Sequence, residues 1–246
     1  MITKSEIKYI QSLAHKKFRD QEGCFVVEGI KMVTELIAHF PHLTIKIFIT
    51  PDGIIQFGKN LPKNITCVEV QEHELMKLSF LATPQQTLAL VKMPQFEQKE
   101  PSAAGLTLIL DQIQDPGNMG TIIRTCDWFG ITNIVCSPDT ADVFSPKVVQ
   151  SSMGSIFRVD VRYEDLDQYV DKLQNIPVYA ATLKGESMLD QKFEHPSCLI
   201  IGNESKGVSA SLLNKANKFI SIPKLGEAES LNAAVATGIL LSRLLN

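Results

Sequence analysis

No apolar run in this chain reaches the roughly 18 residues that a membrane-spanning helix needs. Residues 1–20 contain no apolar stretch of signal-peptide type. A cytoplasmic protein is expected. Cysteine is sparse, with five residues at Cys24, Cys67, Cys126, Cys136 and Cys198. None stands in Cys-x-x-Cys spacing, and no histidine sits near one in a metal-ligand pattern. His15, His39, His42, His73 and His195 form no cluster either. Reduced, mostly buried thiols and no metal site are expected. The chain also lacks Gly-x-Gly-x-x-Gly and a P-loop, which argues against nicotinamide cofactors, nucleotide hydrolysis and the Rossmann methyltransferases. A global positive excess is missing too, since 24 Lys and Arg face 27 Asp and Glu for a net charge of −3. For a nucleic-acid binder that is adverse at the level of the whole chain. Locally, Lys4, Lys8, Lys16, Lys17 and Arg19 outnumber Glu6 and Asp20 in residues 1–20.

What is present is a globular composition: 246 residues, 44% hydrophobic and 21% charged, enough for one large or two ordinary domains. The clearest break is PQFEQKEPSAAG at residues 94–105. Its two prolines, charges and small residues read as a linker between domains at 1–93 and 106–246. The first domain alternates helical patterns, at 5–17, 29–40 and 72–78, with β-branched runs at 24–28, 46–50, 66–70 and 87–91. A small α/β layer structure follows from that alternation. The second has strand-like runs at 106–110, 134–136, 178–181, 199–201 and 219–222, and helical patterns at 118–129, 164–174 and 231–245. That order predicts a mostly parallel sheet covered on both faces, with ligands outside the carboxyl ends of its strands.

Three segments fall at those ends. LDQIQDPGNMGTIIRTCDWFG, residues 110–130, runs from a strand through a Pro-Gly turn into a helix. Asn118 reads as lying at the helix cap, with Arg124 nearly two turns in. LIIGNESKGVS, residues 199–209, leads from a strand into Gly202, Asn203 and Glu204, then Gly207, with Ser209 a plausible cap for a following helix. ISIPKLGEAESLNAAVATGILLS, residues 220–242, ends a strand at Pro223 and opens a helix at Ser230-Leu231-Asn232. Its small residues Ala233, Ala234, Ala236 and Gly238 permit close helix packing. Singly, each segment also has a plain structural reading as a cap, a glycine turn or a tightly packed helix.

In order and spacing, the three segments together resemble the signature motifs of the SpoU (TrmH) family of RNA 2′-O-ribose methyltransferases. The matching residues are Asn118 and Arg124; Gly202, Asn203, Glu204 and Gly207; and Ile222, Pro223, Ser230, Leu231 and Asn232. HKKFRDQEGCFVVEGIKMVTELI, residues 15–37, is similar, more loosely, to the family's substrate-binding domain. Three positions depart from the pattern: Ser205 for glycine, Lys224 for methionine and Ala233 for valine. Of these, Lys224 puts a charge beside the loop assigned to the cofactor.

The resemblance implies an α/β fold whose mostly parallel C-terminal sheet carries a deep trefoil knot (the SPOUT fold), beside a smaller α/β RNA-binding domain. It implies S-adenosylmethionine as cofactor, contacted by Gly202, Ile222 and Leu231 through the main chain, with Thr182, Asn203, Gly207 and Pro223 around it. The catalytic candidates are Arg124, Asn118, Glu204, Ser230 and Asn232. A free guanidinium stays charged, so Arg124 either orients the ribose hydroxyl and a phosphate or serves as base once its charge is perturbed. Asn118 and Asn232 would position Arg124, RNA or the loops, Glu204 would orient Arg124 or an RNA group, and Ser230 would cap the last helix. Ribosomal RNA is the first expected substrate and transfer RNA the second. A non-catalytic RNA-binding or ribosome-assembly protein of the same fold is the competing class, and the intact polar set argues against it. RNA phosphates would meet Lys16, Lys17 and Arg19. A homodimer is expected through the knot region, with Ile239, Leu240, Leu241, Leu244 and Leu245 supplying apolar surface.

Overall fold

The computed structural model describes residues 2–58, 61–62, 64–96 and 105–245. Residues 97–104, the centre of the expected linker, lie outside the described residues. The chain divides into two compact units, Met1–Gln95 with Phe144–Phe157, and Phe96–Val143 with Arg158–Asn246.

The first unit opens with α1 (Lys4–Ser12), set by a capping box in which Thr3 Oγ1 accepts from the Glu6 N–H at 3.1 Å and the Glu6 carboxylate accepts from the Thr3 N–H at 3.0 Å. The single helix expected at 5–17 is two, because the chain turns after Ser12 and restarts as α2 (Lys16–Glu22). Gly23, at φ +61°, ends α2 and leads into β1 (Cys24–Glu28), which is buried at every residue. There follow α3 (Ile30–His39), β2 (Thr44–Ile49), α4 (Pro51–Phe57), β3 (Thr66–Glu69), α5 (Glu72–Leu78) and β4 (Thr87–Lys92). The sheet order is β1-β4-β2-β3, with β4 antiparallel to both neighbours and β3 parallel to β2. Ile10 and Leu13 pack with Phe48, Leu75, Leu78 and Leu88 in one core. Buried Glu28 closes the end of β1 by accepting from the Phe80 N–H at 2.8 Å and from the Ser79 hydroxyl.

The second unit begins with β5 (Leu106–Leu110), α6 (Pro116–Trp128) and β6 (Asn133–Cys136). The chain then contributes Phe144–Phe157 to the first unit, where α7 (Pro146–Ser152) packs on β1 and the rings of Phe25 and Phe144 lie 4.8 Å apart. It continues as β7 (Asp160–Tyr163), α8 (Leu166–Asp171), β8 (Val178–Ser187), β9 (Ser197–Ile201), α9 (Ala210–Lys215), β10 (Lys218–Ser221) and α10 (Ala233–Leu244). The sheet order is β10-β8-β9-β5-β6-β7, and every pairing is parallel. β5 and β9, at its centre, are buried at every position, as a sheet covered on both faces requires. α8 and α9 supply Tyr169, Val170 and Leu212 to the core under Ile109, Cys198 and Ile200. α6 and α10 run side by side in the same direction. Asn118 meets Asn232 at their starts, and a Cβ on Gly238 would sit 3.8 Å from Thr125 Cγ2 further along.

Candidate active site

The loop after β5 is fixed by its own acidic residues. The Asp111 N–H extends the ladder to the Ile201 carbonyl at 2.9 Å, and its buried carboxylate accepts from the Ser209 N–H at 2.7 Å. Gln112 adopts φ +59°. Its N–H donates to Ser137 Oγ and its carbonyl accepts from Asn203 Nδ2, each at 2.9 Å. Asp115 is the N-cap of α6, with Oδ1 accepting from the Asn118 N–H at 2.8 Å, and Pro116 opens the helix. Asn118 is therefore not the cap but a first-turn residue, and its amide side chain is spent elsewhere. Asn118 Nδ2 donates to Glu204 Oε1 at 2.6 Å, and Oδ1 accepts from Asn232 Nδ2 at 2.8 Å.

That chain of three side chains ties the three motif loops together. Asn232 belongs to it because it is the N-cap of α10: its Oδ1 accepts from the N–H groups of Ala234 and Val235 at 3.0 and 3.2 Å, leaving Nδ2 for Asn118. Ser230, expected as that cap, stands two residues too early. It is exposed and makes no hydrogen bond among the described residues.

The loop after β9 closes on itself. Asn203 and Gly207 exchange two backbone hydrogen bonds of 3.0 and 2.9 Å, and Asn203 Oδ1 accepts from the N–H groups of Ser205 and Lys206. Gly207 turns the chain at φ +71°. Gly202 serves space instead: a Cβ there would lie 2.2 Å from Gly207 C and Val208 N. β8 shows a related close approach. Its pairing with β10 jumps between Phe219↔Ala180 and Ile220↔Glu186, so residues 181–185 leave the ladder. Gly185 lets the strand return against the backbone of Phe219 and Ile220, which a Cβ would meet at 2.6 Å.

A cavity of about 940 Å³ opens beside the middle of β8 and at the carboxyl ends of β9 and β10. All seven residues assigned to the cofactor line it: Thr182, Gly202, Asn203, Gly207, Ile222, Pro223 and Leu231. Glu204 and Ser230 line it as well. Thr182 lies where β8 has already left β9, rather than at the end of a short strand. The volume is at the upper end for a small-molecule site. Its wall combines apolar side chains such as Leu183 and Ile222 with backbone brought close at Gly202. A nucleoside carrying an apolar-to-cationic side arm, held through main-chain groups, fits that wall.

Arg124 is not joined to this network. It lies six residues beyond Asn118 on α6, about 9 Å along the axis and roughly 120° around it. It is exposed and makes no hydrogen bond or ion pair among the described residues. Neither Glu204 nor Asn118 orients it here, because both are bonded to each other.

Two further expectations change. Arg19 does not face RNA phosphates: it is 2% exposed, and its Nη1 donates to the carbonyls of Leu13 and Ala14 at 2.8 Å. It holds the turn between α1 and α2. Lys16 and Lys17 remain exposed, with Lys16 paired to Asp20 at 2.7 Å. Leu240, Leu241 and Leu244 do not form a dimer surface: they are at most 3% exposed, packed within their own chain, and Leu245 is the exposed one at 37%. Sequence patterns also pass over Asp111, Gln112 and Asp115, which lock the loop after β5; an acidic residue directly after a fully buried strand run, Leu108-Ile109-Leu110, is the available signal.

The cysteines offer no nucleophile. Cys24, Cys126, Cys136 and Cys198 are buried, and burial pushes the Cys126 and Cys136 thiols up and Cys198 up to about 12. Among the described residues, no group of three or more His, Cys, Asp or Glu could hold a metal ion, and no helix is long and apolar enough to cross a membrane.

Residues 105–242 match the SpoU rRNA methylase family, and residues 4–89 match the MRM3-like substrate-binding domain. The 23S rRNA (guanosine(2553)-2′-O)-methyltransferase RlmP of Bacillus subtilis is 34% identical over 242 residues, covering 97% of this chain and 95% of that protein. A 23S rRNA (uridine(2479)-2′-O)-methyltransferase of Streptomyces viridochromogenes is 28% identical over 243 residues, covering 93% of this chain and 85% of that protein. Among solved structures, an AdoMet-bound rRNA methyltransferase from Sinorhizobium meliloti superposes with a TM-score of 0.85 at 27% identity, covering 99% of this chain and 95% of that one.

Proposed function

This chain belongs to the SpoU rRNA methylase family, and on that premise we propose that it methylates a ribose 2′-hydroxyl beside the cavity lined by its second and third motif loops. It is an S-adenosylmethionine-dependent RNA (ribose-2′-O)-methyltransferase acting on ribosomal RNA. The observation that carries the site assignment is that β8 and the loops after β9 and β10 line one cavity, and the Asn232–Asn118–Glu204 hydrogen bonds tie the start of α6 to two of its lining loops.

S-adenosylmethionine, when bound, supplies an electrophilic methyl group. Gly202, Ile222 and Leu231 would hold it through the main chain, with Thr182, Asn203, Gly207 and Pro223 around it. Arg124 would orient the ribose hydroxyl and an adjacent phosphate, its positive charge favouring alkoxide character at that oxygen. The amides of Asn118 and Asn232 hold Glu204 and the loops in register. The unbonded hydroxyl of Ser230 is available to the substrate. We assign residues 1–93 to RNA binding, which the substrate-binding match at residues 4–89 supports, with Lys16 and Lys17 toward phosphates. We also assign the trefoil knot to the C-terminal sheet and the cytoplasm as the site of action.

Loss of one 2′-O-methyl mark from ribosomal RNA, mapped across total RNA of a deletion strain against its parent, is the expected result. A mark lost only from transfer RNA would redirect the substrate. Failure of the protein to bind S-adenosylmethionine or its demethylated product would favour a non-catalytic RNA-binding role.

A homodimer completes the reading. Exposed apolar residues of the second unit include Trp128 at 86%, Leu183 at 75%, Val235 at 51% and, in the loop after β10, Leu225 at 100% and Leu231 at 44%. Trp128 on α6 and Val235 on α10 belong to neighbouring helices, so a second copy seated there would cover both. Arg124 is one turn from Trp128, which brings residues of both copies near the RNA. Sedimentation at micromolar concentration should give a dimer, and Trp128→Glu should shift it toward monomer. A wild-type monomer would reject the assignment.

A further inference from the structure

The charges around the cavity are unevenly used. Lys184 comes from β8, Lys206 from the loop after β9 and Lys224 from the loop after β10, so each strand that builds the cavity contributes one lysine to its lining. All three are exposed, and none of their ammonium groups makes a hydrogen bond or ion pair among the described residues. Lys215 and Lys218 of the same unit are engaged, with Asp171 and Asp167 and with Glu194, while Lys172 and Lys192, which do not line the cavity, are as unpaired as the three. Against the three stand two acidic lining residues, Glu204 and Glu229, and Glu204 is already bonded to Asn118. In a chain of net charge −3, three unpartnered cations around one opening need a reason. Leaving them unpaired keeps them available to an incoming anion. One carboxylate, such as that of the cofactor, could answer only one of them. Three lysines on three loops match a polyanion laid across the opening.

We propose that Lys184, Lys206 and Lys224 bind the phosphates flanking the target ribose, so that the mouth of the cofactor cavity is itself the phosphate-binding surface of the second unit. This rests on the rRNA methyltransferase reading above. It also accounts for the positive surface that the N-terminal segment loses when Arg19 is buried.

Each lysine that neutralises a phosphate releases counterions and steepens the salt dependence of binding. The test compares wild type with the triple variant Lys184→Gln, Lys206→Gln, Lys224→Gln. Filter binding of an in-vitro-transcribed 23S rRNA is measured across a KCl series, and S-adenosylmethionine binding by calorimetry. The expected result is a slope of log K against log[KCl] that is shallower by about 2 to 3, with S-adenosylmethionine affinity within about twofold of wild type. The matching Lys→Arg triple variant should restore the slope, because the charge is retained. An unchanged slope in the glutamine variant overturns the proposal. So does a weakened S-adenosylmethionine affinity with an unchanged RNA slope, which would assign the lysines to the cofactor. A wild-type protein that neither binds S-adenosylmethionine nor methylates RNA would instead bring down the underlying reading, and this proposal with it.

Discussion

Arg124→Ala should lower methyl transfer by roughly 100- to 10,000-fold, the range expected when a positioned acid–base or charge-stabilising group is removed, while leaving the fold and S-adenosylmethionine binding intact. The asymmetry follows from where Arg124 sits. It is exposed on α6 and holds no hydrogen bond or ion pair among the described residues. Its truncation therefore removes no internal support, and thermal stability should change by about 0.5 kcal/mol or less. It is also absent from the cavity lining, so cofactor affinity should not follow activity down. Arg124→Lys keeps the charge but loses the planar five-donor fork, and should recover only part of the rate if the guanidinium holds hydroxyl and phosphate together. Single-turnover methylation of rRNA, with calorimetry on the cofactor product, separates these cases. Wild-type turnover in Arg124→Ala would remove Arg124 from the mechanism. The network of Asn118, Asn232 and Glu204 would then be left to carry it.

The sequence made β5 and β9 legible because their short, mostly apolar runs bounded by turn residues suit strands buried on both faces. The loops after them were legible as functional because glycine and proline punctuate them at strand ends. Elements with weak local signals stayed hidden. α4 contains Gly53 and depends on Thr50 Oγ1 accepting the Gly53 N–H at 3.1 Å. β7 is a half-buried edge strand of four residues, DVRY, whose polar–apolar alternation is too short to single it out. Phe144–Phe157 joins the first unit without any change of composition at its borders, since aromatic packing on Phe25 is a property of the fold alone. The site shows the same division. Which residues matter was readable from the motifs, but which of them touch was not. Asn118 and Asn232 are 114 residues apart, and at the start of α6 Asp115 and Asn118, like Ser230 and Asn232 at the start of α10, are all residue types that suit a cap until the helix starts are fixed in space. Arg19 reads as a surface cation because carbonyls freed by the turn at Leu13 and Ala14 leave no mark in the sequence.

Gly202→Ala should abolish S-adenosylmethionine binding, with an affinity loss above about 100-fold, even though it adds a single methyl group. A Cβ at this position would lie 2.2 Å from Gly207 C and Val208 N and 2.4 Å from the Gly207 carbonyl oxygen. These are main-chain atoms, so no side chain can rotate away. Either β9 moves, against its buried pairing with β5, or the loop opens and the Asn203–Gly207 bonds break. The second route is cheaper, costing about 1–3 kcal/mol as overpacking usually does. It also pulls Asn203 from Gln112 and Glu204 from Asn118, so the cavity loses one wall and the catalytic network one anchor. Gly207→Ala provides the contrast. Gly207 sits at φ +71°, and a Cβ there would meet nothing within 4 Å, so alanine costs backbone strain of about 1 kcal/mol without a collision. Titration of both variants with S-adenosylhomocysteine, alongside thermal unfolding, should show binding lost in Gly202→Ala and largely retained in Gly207→Ala. Tight binding by a folded Gly202→Ala protein would mean that the loop after β9 is not the cofactor's cradle.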